Sequence, residues 1–346
     1  MAAIRVFLLT YRRPHLLRRA LASLRAQTFR DWICELHNDD PTDDNPRQLL
    51  AEIADPRFTL HQHASNWGPV ATFNHAYAAG PEAFASILED DNWWEPEFLI
   101  TAHAVLLATP HANVVWANLR IWQEQADGTW QDTARTIWAT APAEPCPRLF
   151  YWPQPLQFSD ALHSNGAMLY RAAASASALV PANTPFAIIE PTRERLLAGA
   201  WLLLPQVLAH FAVTLRTSRS PDRALWSQSQ LLVAASYLAA IPASADELAG
   251  HWHHLRGQRP SGTNLLFQLA LAGIRTRDLL SHARPADWLR FLAGAVRHPL
   301  LLRNALRFRF AHPEVWAKLR DGAIARSREN LAASPNPAIW EKRLLP

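Results

Sequence analysis

The chain has 346 residues, 49% of them hydrophobic, and a formal net charge of +4. That is enough for a sizeable core in one large domain with an appendage, or in two domains, and the positive balance is too mild to imply nucleic acid as a partner. Two cysteines, Cys34 and Cys146, cannot form a disulfide framework and fit a reducing compartment. No run approaches the ~18 apolar residues of a spanning helix, and the start passes straight into a strand-like run without a signal-peptide layout. A cytoplasmic protein is expected, with peripheral contact to the inner face of a membrane left open.

Residues 4–9 form a nearly continuous apolar run, as expected of a strand buried on both faces. Thr10-Tyr11-Arg12-Arg13 ends it. Pro14 suits the first turn of a helix with Leu17, Ala20, Leu21 and Leu24 as its apolar stripe and Arg18, Arg19 and Arg25 facing out. A second strand over 32–36 ends at His37-Asn38-Asp39-Asp40, and Pro46 opens a short helix to Ile53. A third strand covers 58–61, and Asn66-Trp67-Gly68-Pro69 turns into a helix over 70–79. A fourth strand over 84–88 runs into Glu89-Asp90-Asp91-Asn92, with a helix over 96–107 beyond. Such alternation predicts parallel strands with right-handed crossovers, hence an open α/β sheet that binds ligands beyond the carboxyl ends of its strands. Thr10-Tyr11, Asn38-Asp39, Asn66 and Glu89 to Asp91 should all converge at that edge.

Further along, 113–122 and 129–138 read as a hairpin around Asp127-Gly128. The proline-rich stretch 142–155 reads as a surface loop, 166–170 as a strand before an Ala-rich helix, and 186–190 as a strand ending in an acid, followed by a helix over 192–197. From Arg223 onward leucines recur at helical spacings, punctuated by Pro260, Pro285, Pro299 and Pro313.

The acidic tip carries the chemistry. Adjacent carboxylates repel, so a strand end has no reason of its own to collect three. A divalent cation supplies the reason: hard oxygen ligands suit Mg²⁺ or Mn²⁺, and the ion in turn holds phosphate oxygens. Strand alternation would put Glu89 and Asp91 on one side. The competing reading is a solvated acidic loop.

Taken in order, these motifs resemble the family 2 glycosyltransferases of the GT-A fold. That family commonly shows a Thr-Tyr-Asn-Arg-like turn and a helix ending Gln-Thr; here stand Thr10-Tyr11-Arg12-Arg13 and Gln27-Thr28. Its Asp-Asp-Gly-Ser-Thr-Asp segment is matched by Asn38-Asp39-Asp40-Pro41-Thr42-Asp43, its Asn-x-Gly by Asn66-Trp67-Gly68, its Arg-Asn by Phe73-Asn74, and its Asp-x-Asp by Glu89-Asp90-Asp91 with Trp94 and Pro96 downstream. The resemblance is clear over about residues 4–100 and weak to about 220. It implies an α/β GT-A fold (a Rossmann-like mixed sheet flanked by helices) over 1–222, with a nucleotide-sugar half at about 1–110 and an acceptor half at about 111–222. A mostly helical C-terminal region would fill 223–346.

The implied activity is inverting transfer of a sugar from a nucleotide-diphosphate sugar to a glycan or lipid-linked acceptor, in cell-surface polysaccharide synthesis. The resemblance gives Thr10, Tyr11, Arg13, Asn38, Asp39, Asn66, Gly68, Asn74, Glu89 and Asp90 to the donor, and Asp91 with Glu89 to Mn²⁺ or Mg²⁺. Asn38 in place of Asp leaves the base open, and the Arg missing before Asn74 calls for a substitute such as Arg12, Arg13 or a later residue. Asn38 and Asp39 also fit an Asx turn or helix cap, Tyr11 a packing aromatic, and Trp93 and Trp94 either sugar stacking or core. The base that takes the acceptor proton is assigned to Glu190, with Asp160 as the second candidate; Glu190 also fits a helix N-terminal carboxylate. His163-Ser164-Asn165-Gly166 resembles the segment below the sugar. Arg297, Arg303, Arg307 and Arg309 among apolar residues suit either an anionic lipid surface or solvent. Adjacent His251, His253 and His254 point around a helix rather than to one centre.

Two other readings compete. A sugar nucleotidyltransferase usually carries a Gly-rich loop after its first strand, and Thr10-Tyr11-Arg12-Arg13-Pro14 has no glycine. A non-catalytic GT-A-like binding protein is favoured by the altered Asn38 and Phe73 and disfavoured by Glu89 and Asp91.

Overall fold

The computed structural model describes residues 3–78, 80–138, 147–152, 161, 164–215, 223–241, 244–257, 274, 276–297 and 299–333. Four parallel strands, β1 (Ile4–Thr10), β2 (Trp32–Asn38), β3 (Phe58–Gln62) and β4 (Phe84–Glu89), lie in the order β3-β2-β1-β4. Helices α1 (Pro14–Arg25), α2 (Asn45–Ile53) and α3 (Gly68–Ala78) make the crossovers. Flanked on both edges and covered on both faces, β1 buries every residue except the half-buried Arg5, which is why its sequence is continuously apolar. Helix α1 starts with Pro14 and turns Leu16, Leu17, Ala20, Leu21 and Leu24 to the sheet.

Past α4 (Phe98–Ala108) the sheet becomes mixed. Strand β6 (Ala112–Glu124) makes a hairpin with β7 (Trp130–Thr136), as expected, and β9 (Met168–Arg171), followed by the short helix α5 (Ala172–Ser175), inserts antiparallel between β4 and β6. Strand β10 (Ala200–Val213) runs parallel to β6, with β5 (Trp93–Trp94) and β8 (Arg148–Phe150) antiparallel to it.

Three segments differ from the expectation. Residues 186–190 are not a strand: Phe186–Ile188 is a 3₁₀ turn that runs into α6 (Ile189–Leu196). Pro191 falls in the first turn of α6, where a missing N–H costs no helix hydrogen bond, so the apolar run before it is a helix entry. Strand β8 lies inside the stretch expected to be a loop. Strand β10 was not anticipated; Pro205 interrupts its pattern at a register shift between Leu204 and Val207, and such irregularities are where a strand accommodates proline.

The core has one cluster on each face. Leu17, Leu21 and Leu24 of α1 pack with Phe98, Leu99 and Ala102 of α4 on one side. The other side joins Phe7, Ile87, Trp116 and Trp201 of the sheet and Tyr77 of α3 to helices α7 (Arg223–Ala240), α8 (Ala245–Gly257), α9 (Thr276–Leu280) and α12 (Pro313–Ala333), through Leu231, Leu238, Leu248, Leu279, Val315 and Leu319. Helices α10 (Pro285–Arg297) and α11 (Pro299–Ala311) complete the described C-terminal region, which is helical as expected. None of the described helices is long and apolar enough to cross a membrane.

Candidate functional site

Parallel register decides what meets at the edge. Thr10 pairs with Asn38, Leu9 with Glu89, and Asn38 with Gln62, so the polar strand ends line up as the sequence implies. Just past β4, Asp90 turns toward β1. Its Oδ2 accepts from Thr10 Oγ1 at 2.8 Å and from the Tyr11 amide at 3.4 Å. The guanidinium of Arg13, at the entrance to α1, spans two acids, with Nη2 2.6 Å from Asp90 Oδ1 and Nη1 2.6 Å from Asp91 Oδ2. The Arg13–Asp90 approach is a close ion pair without hydrogen-bond alignment. Arg19 Nη2 donates to the Asp91 carbonyl at 2.9 Å, and its guanidinium lies between the rings of Trp93 and Trp130. Asn92 locks the tip from behind: its Nδ2 donates to Glu89 Oε2 at 3.0 Å and its Oδ1 accepts from the Ala212 amide at 3.1 Å.

The acids are short of positive charge. Burial, then Asp91 and Glu190, push the Glu89 carboxyl well up from its usual value, with Arg13 opposing. Burial also pushes Asp90 up, to about 7, with Asp91 adding and Arg13, Thr10 and the Tyr11 amide opposing. Buried carboxylates held this far above their ordinary range require a cation or a proton. All their free donors are carboxylate oxygens, a set that fits a hard divalent ion. Asp91, whose side chain is more open than those of its neighbours, and Glu89 would hold it.

Across the edge, Asp39 organises the third crossover. Its Oδ1 accepts from the Trp67 amide at 2.7 Å and contacts His63 Nδ1 at 3.0 Å, while Oδ2 accepts from the Gly68 amide at 2.9 Å. Gly68 has φ +77°, a conformation glycine adopts without steric cost. This anchoring presents Asn66 and Trp67 to solvent, and Tyr11, past the end of β1, is 38% exposed. Asn38 is fully buried: its Nδ2 donates to the Asp43 carbonyl and Gln62 Oε1, and its Oδ1 accepts from the Asp40 amide, the Asx-turn arrangement. Arg12 adopts φ +56° and pairs with Asp40 at 2.6 Å.

Glu190 stands in the first turn of α6, and its Oε1 accepts from the Asn165 amide at 3.1 Å. Asn165 Oδ1 in turn accepts from Tyr77 at 2.9 Å. The turn carrying Asn165 packs so closely on the acidic tip that a Cβ on Gly166 would meet Asn92 Nδ2 at 2.9 Å. Asn74 is engaged by protein groups, exchanging hydrogen bonds with the Val180 backbone and accepting from Arg193 at 3.1 Å. Trp94 is core, its Nε1 donating to the Gly166 carbonyl, and Trp93 stacks on His210. Asp160 and His163 lie outside the described residues.

Four residues of this site escaped the sequence reading: Arg19, Asn92, Asn165 as a partner of Glu190, and Arg193. Arg193 lies one helical turn after Glu190 on α6, its guanidinium 4.6 Å from the Tyr77 ring centroid and 5.2 Å from that of Phe73. Its Nε and Nη1 have no hydrogen-bond partner among the described residues. Burial lowers its proton affinity, while Tyr77, Glu190 and Glu89 help hold its charge. It stands beside Phe73, where the resembling family has its own arginine. The i, i+3 spacing from Glu190 was the available signal.

An open α/β sheet whose carboxyl edge gathers a buried acidic tip, an arginine and an ordered polar loop has the layout of a ligand-binding α/β scaffold. Residues 6–169 match the family model described as glycosyl transferase family 2, so this segment is similar to that family. No curated protein matches it in sequence. Among solved structures, S. aureus TarS 1-349 in complex with UDP is similar at 14% identity and a TM-score of 0.51, covering 96% of this chain and 92% of that one. A mannosyltransferase, PcManGT from Pyrobaculum calidifontis in complex with GDP-Man and Mn²⁺, is similar at 13% identity and a TM-score of 0.47, covering 96% and 88%. The first likeness establishes the shared fold.

Proposed function

We propose that this protein is a metal-dependent, inverting glycosyltransferase, and that it moves a sugar from a nucleotide-diphosphate donor to a glycan or lipid-linked acceptor in surface polysaccharide synthesis. The observation that carries the donor half is the bonding of Asp90 to both Thr10 and the Tyr11 amide, which fuses the acidic tip to the first strand end. The base and ribose would lie against Tyr11 and the Asn66-Trp67-Gly68 loop, with Asp39, Asn38 and Asn74 as the frame behind. Asp91 and Glu89 would hold Mn²⁺ or Mg²⁺, which supplies electrostatic stabilisation to the leaving diphosphate. Arg13 would complement the same charge. TarS, which shares the fold, is described in complex with UDP, and that supports a nucleotide here.

On the acceptor side, Glu190 is the proposed base. Its carboxylate takes the proton of the acceptor hydroxyl as that oxygen attacks the anomeric carbon. The bond from that carbon to the diphosphate breaks on the opposite face, and the nucleoside diphosphate leaves. The Asn165 amide orients Glu190, and Arg193 keeps counter-charge beneath it. A lipid-linked acceptor or a peripheral membrane position is supported by helices α10 and α11, which expose Leu292, Val296, Leu300 and Phe310 at 57%, 81%, 66% and 74%, beside the exposed Arg297, Arg303 and Arg307.

The test is a panel of UDP, GDP, dTDP and CMP sugars, with and without Mn²⁺, read by thermal shift and nucleotide release. Metal-dependent stabilisation and release with one donor supports the reading. Pyrophosphate release from a nucleoside triphosphate plus sugar phosphate would assign a nucleotidyltransferase instead, and silence toward every nucleotide would leave only a binding scaffold.

A further inference from the structure

At its β2–β3 end the sheet face beneath α3 is polar where an α/β sheet is normally apolar. Glu35 and His37 of β2, His61 of β3 and His63 just beyond it point to this side, and His75 of α3 closes over them, its ring 5.0 Å from that of His37. His37 and His61 are direct neighbours in the parallel register and stack at 4.7 Å. One ligand atom each of Glu35, His37 and His61 lies within 4.8 Å of the others. Glu35 Oε2 is 3.4 Å from His37 Nε2, and Glu35 Oε1 is 4.0 Å from His61 Nε2.

A count of protons gives this cluster its meaning. Contacts run in a line from Glu35 through His37 and His63 to Asp39: His37 Nδ1 is 3.0 Å from His63 Nε2, and His63 Nδ1 is 3.0 Å from Asp39 Oδ1. Two neutral imidazoles own two N–H donors, and there are three contacts to fill between two carboxylates. If the two shorter contacts take the donors, His63 donates to Asp39 and His37 Nδ1 donates to His63. His37 Nε2 is then a bare lone pair facing a carboxylate oxygen. Two acceptors held together need a cation or a proton between them. Carboxylate-oriented histidine is also how proteins fix a ring for metal ligation.

We propose that Glu35, His37 and His61 form a second metal site, of zinc class, separate from the acidic tip. Two imidazoles and one carboxylate suit Zn²⁺ or its borderline neighbours rather than Mg²⁺ or Mn²⁺. A tetrahedral ion with bonds of ~2.0–2.1 Å spaces its ligand atoms by about 3.3–3.4 Å. The Glu35–His37 pair already has that spacing. His61, 43% exposed at its side chain, closes the rest by rotation and leaves the fourth position to water. Charge permits it: Arg5, the cation facing this group from β1, is shared between Glu35 and Glu82, so two carboxylates face one guanidinium. Through His37, His63 and Asp39 the ion would be tied to the amides of Trp67 and Gly68, and so would stiffen the loop at the nucleotide edge.

The experiment titrates chelator-stripped protein with Zn²⁺ against a chromophoric competitor, and with Co²⁺ followed by its visible absorption. Wild type, Asp91→Asn, His61→Ala and Glu35→Gln are compared, with tryptophan fluorescence confirming each fold. Wild type and Asp91→Asn should each hold one tightly bound ion at this site, with equal affinity, and give four-coordinate Co²⁺ bands. His61→Ala and Glu35→Gln should each bind about 10-fold more weakly or worse. Affinity unchanged in both of these variants, affinity lost in Asp91→Asn, or no tight Zn²⁺ in wild type overturns the site. Because His61 is largely open to solvent, its replacement tests the site even if Glu35→Gln fails to fold.

Discussion

Asp39→Ala should separate framework from chemistry at this site. The carboxylate is 7% exposed and receives three contacts, from His63 and from the Trp67 and Gly68 amides. Hydrogen bonds to a charged acceptor contribute about 1.5–3 kcal/mol each, and a buried donor left unpaired costs about 1–3 kcal/mol. Trp67 is 45% exposed, so water can reach the two backbone donors once the carboxylate is gone, whereas the buried His63 loses its Nδ1 contact and keeps that to His37. The sum is discounted accordingly to about 3 kcal/mol, most of it from His63 and from the freed loop. Urea unfolding followed by tryptophan fluorescence would read that loss as a lower midpoint with unchanged slope. Nucleotide affinity should fall with it, because Asn66 and Trp67 no longer hold position. Asp39→Asn, which keeps one carbonyl oxygen for the amides, should lose about half as much. A loss below about 1 kcal/mol in Asp39→Ala would mean that the loop orders itself without the carboxylate, and the argument for Asp39 as its anchor would fail.

In metal-free protein the contribution of Asp90 to stability should fall as the pH rises. A carboxyl raised to about 7 in the fold binds a proton that the unfolded chain has already released, so its contribution is full below the ordinary carboxylate range and is lost as the pH rises toward and through about 7. Asp90→Asn should flatten that decline in unfolding curves taken in chelator; parallel curves for variant and wild type would place the raised group elsewhere. Asp91→Asn should keep the fold and remove metal-dependent transfer, by at least about 100-fold in kcat/KM, and full activity at limiting Mn²⁺ would take Asp91 out of the mechanism. Glu190→Gln should bind donor normally while transfer falls by about 100-fold or more; undiminished transfer would move the base to another residue. Sedimentation with vesicles should carry the protein down when they contain anionic lipid, and Leu292→Glu with Val296→Glu should abolish this, whereas equal recovery of both proteins in the supernatant would leave the exposed face of α10 and α11 unexplained.

The half of the chain built on period was legible in the sequence. The strands at 4–9 and 84–88 announce themselves because a strand buried on both faces must be continuously apolar, those at 32–36 and 58–61 alternate toward the edge of the sheet, and parallel register then forces Thr10, Asn38, Gln62 and Glu89 to one edge. What was not legible depends on contacts distant in sequence. Arg193 reaches Asn74 across 119 positions, Asn92 meets the Ala212 amide across 120, and Asn165 holds Glu190 from another element. No local pattern encodes such meetings. Strand β10 was hidden by Pro205, and the entry to α6 was misread because Ile188-Ile189 has the composition of a strand and only the position of Pro191 speaks for a helix. The histidines at 37, 61, 63 and 75 are spread over three elements, and register alone assembles them.

Calorimetric titration with UDP and GDP, each in Mn²⁺ and in chelator, tests the central claim most directly. At least one diphosphate should bind in Mn²⁺, lose that affinity in chelator, and lose it equally in Asp91→Asn. Equal binding with and without the cation, or none under either condition, would contradict the assignment of the acidic tip as a cation-bridged diphosphate site.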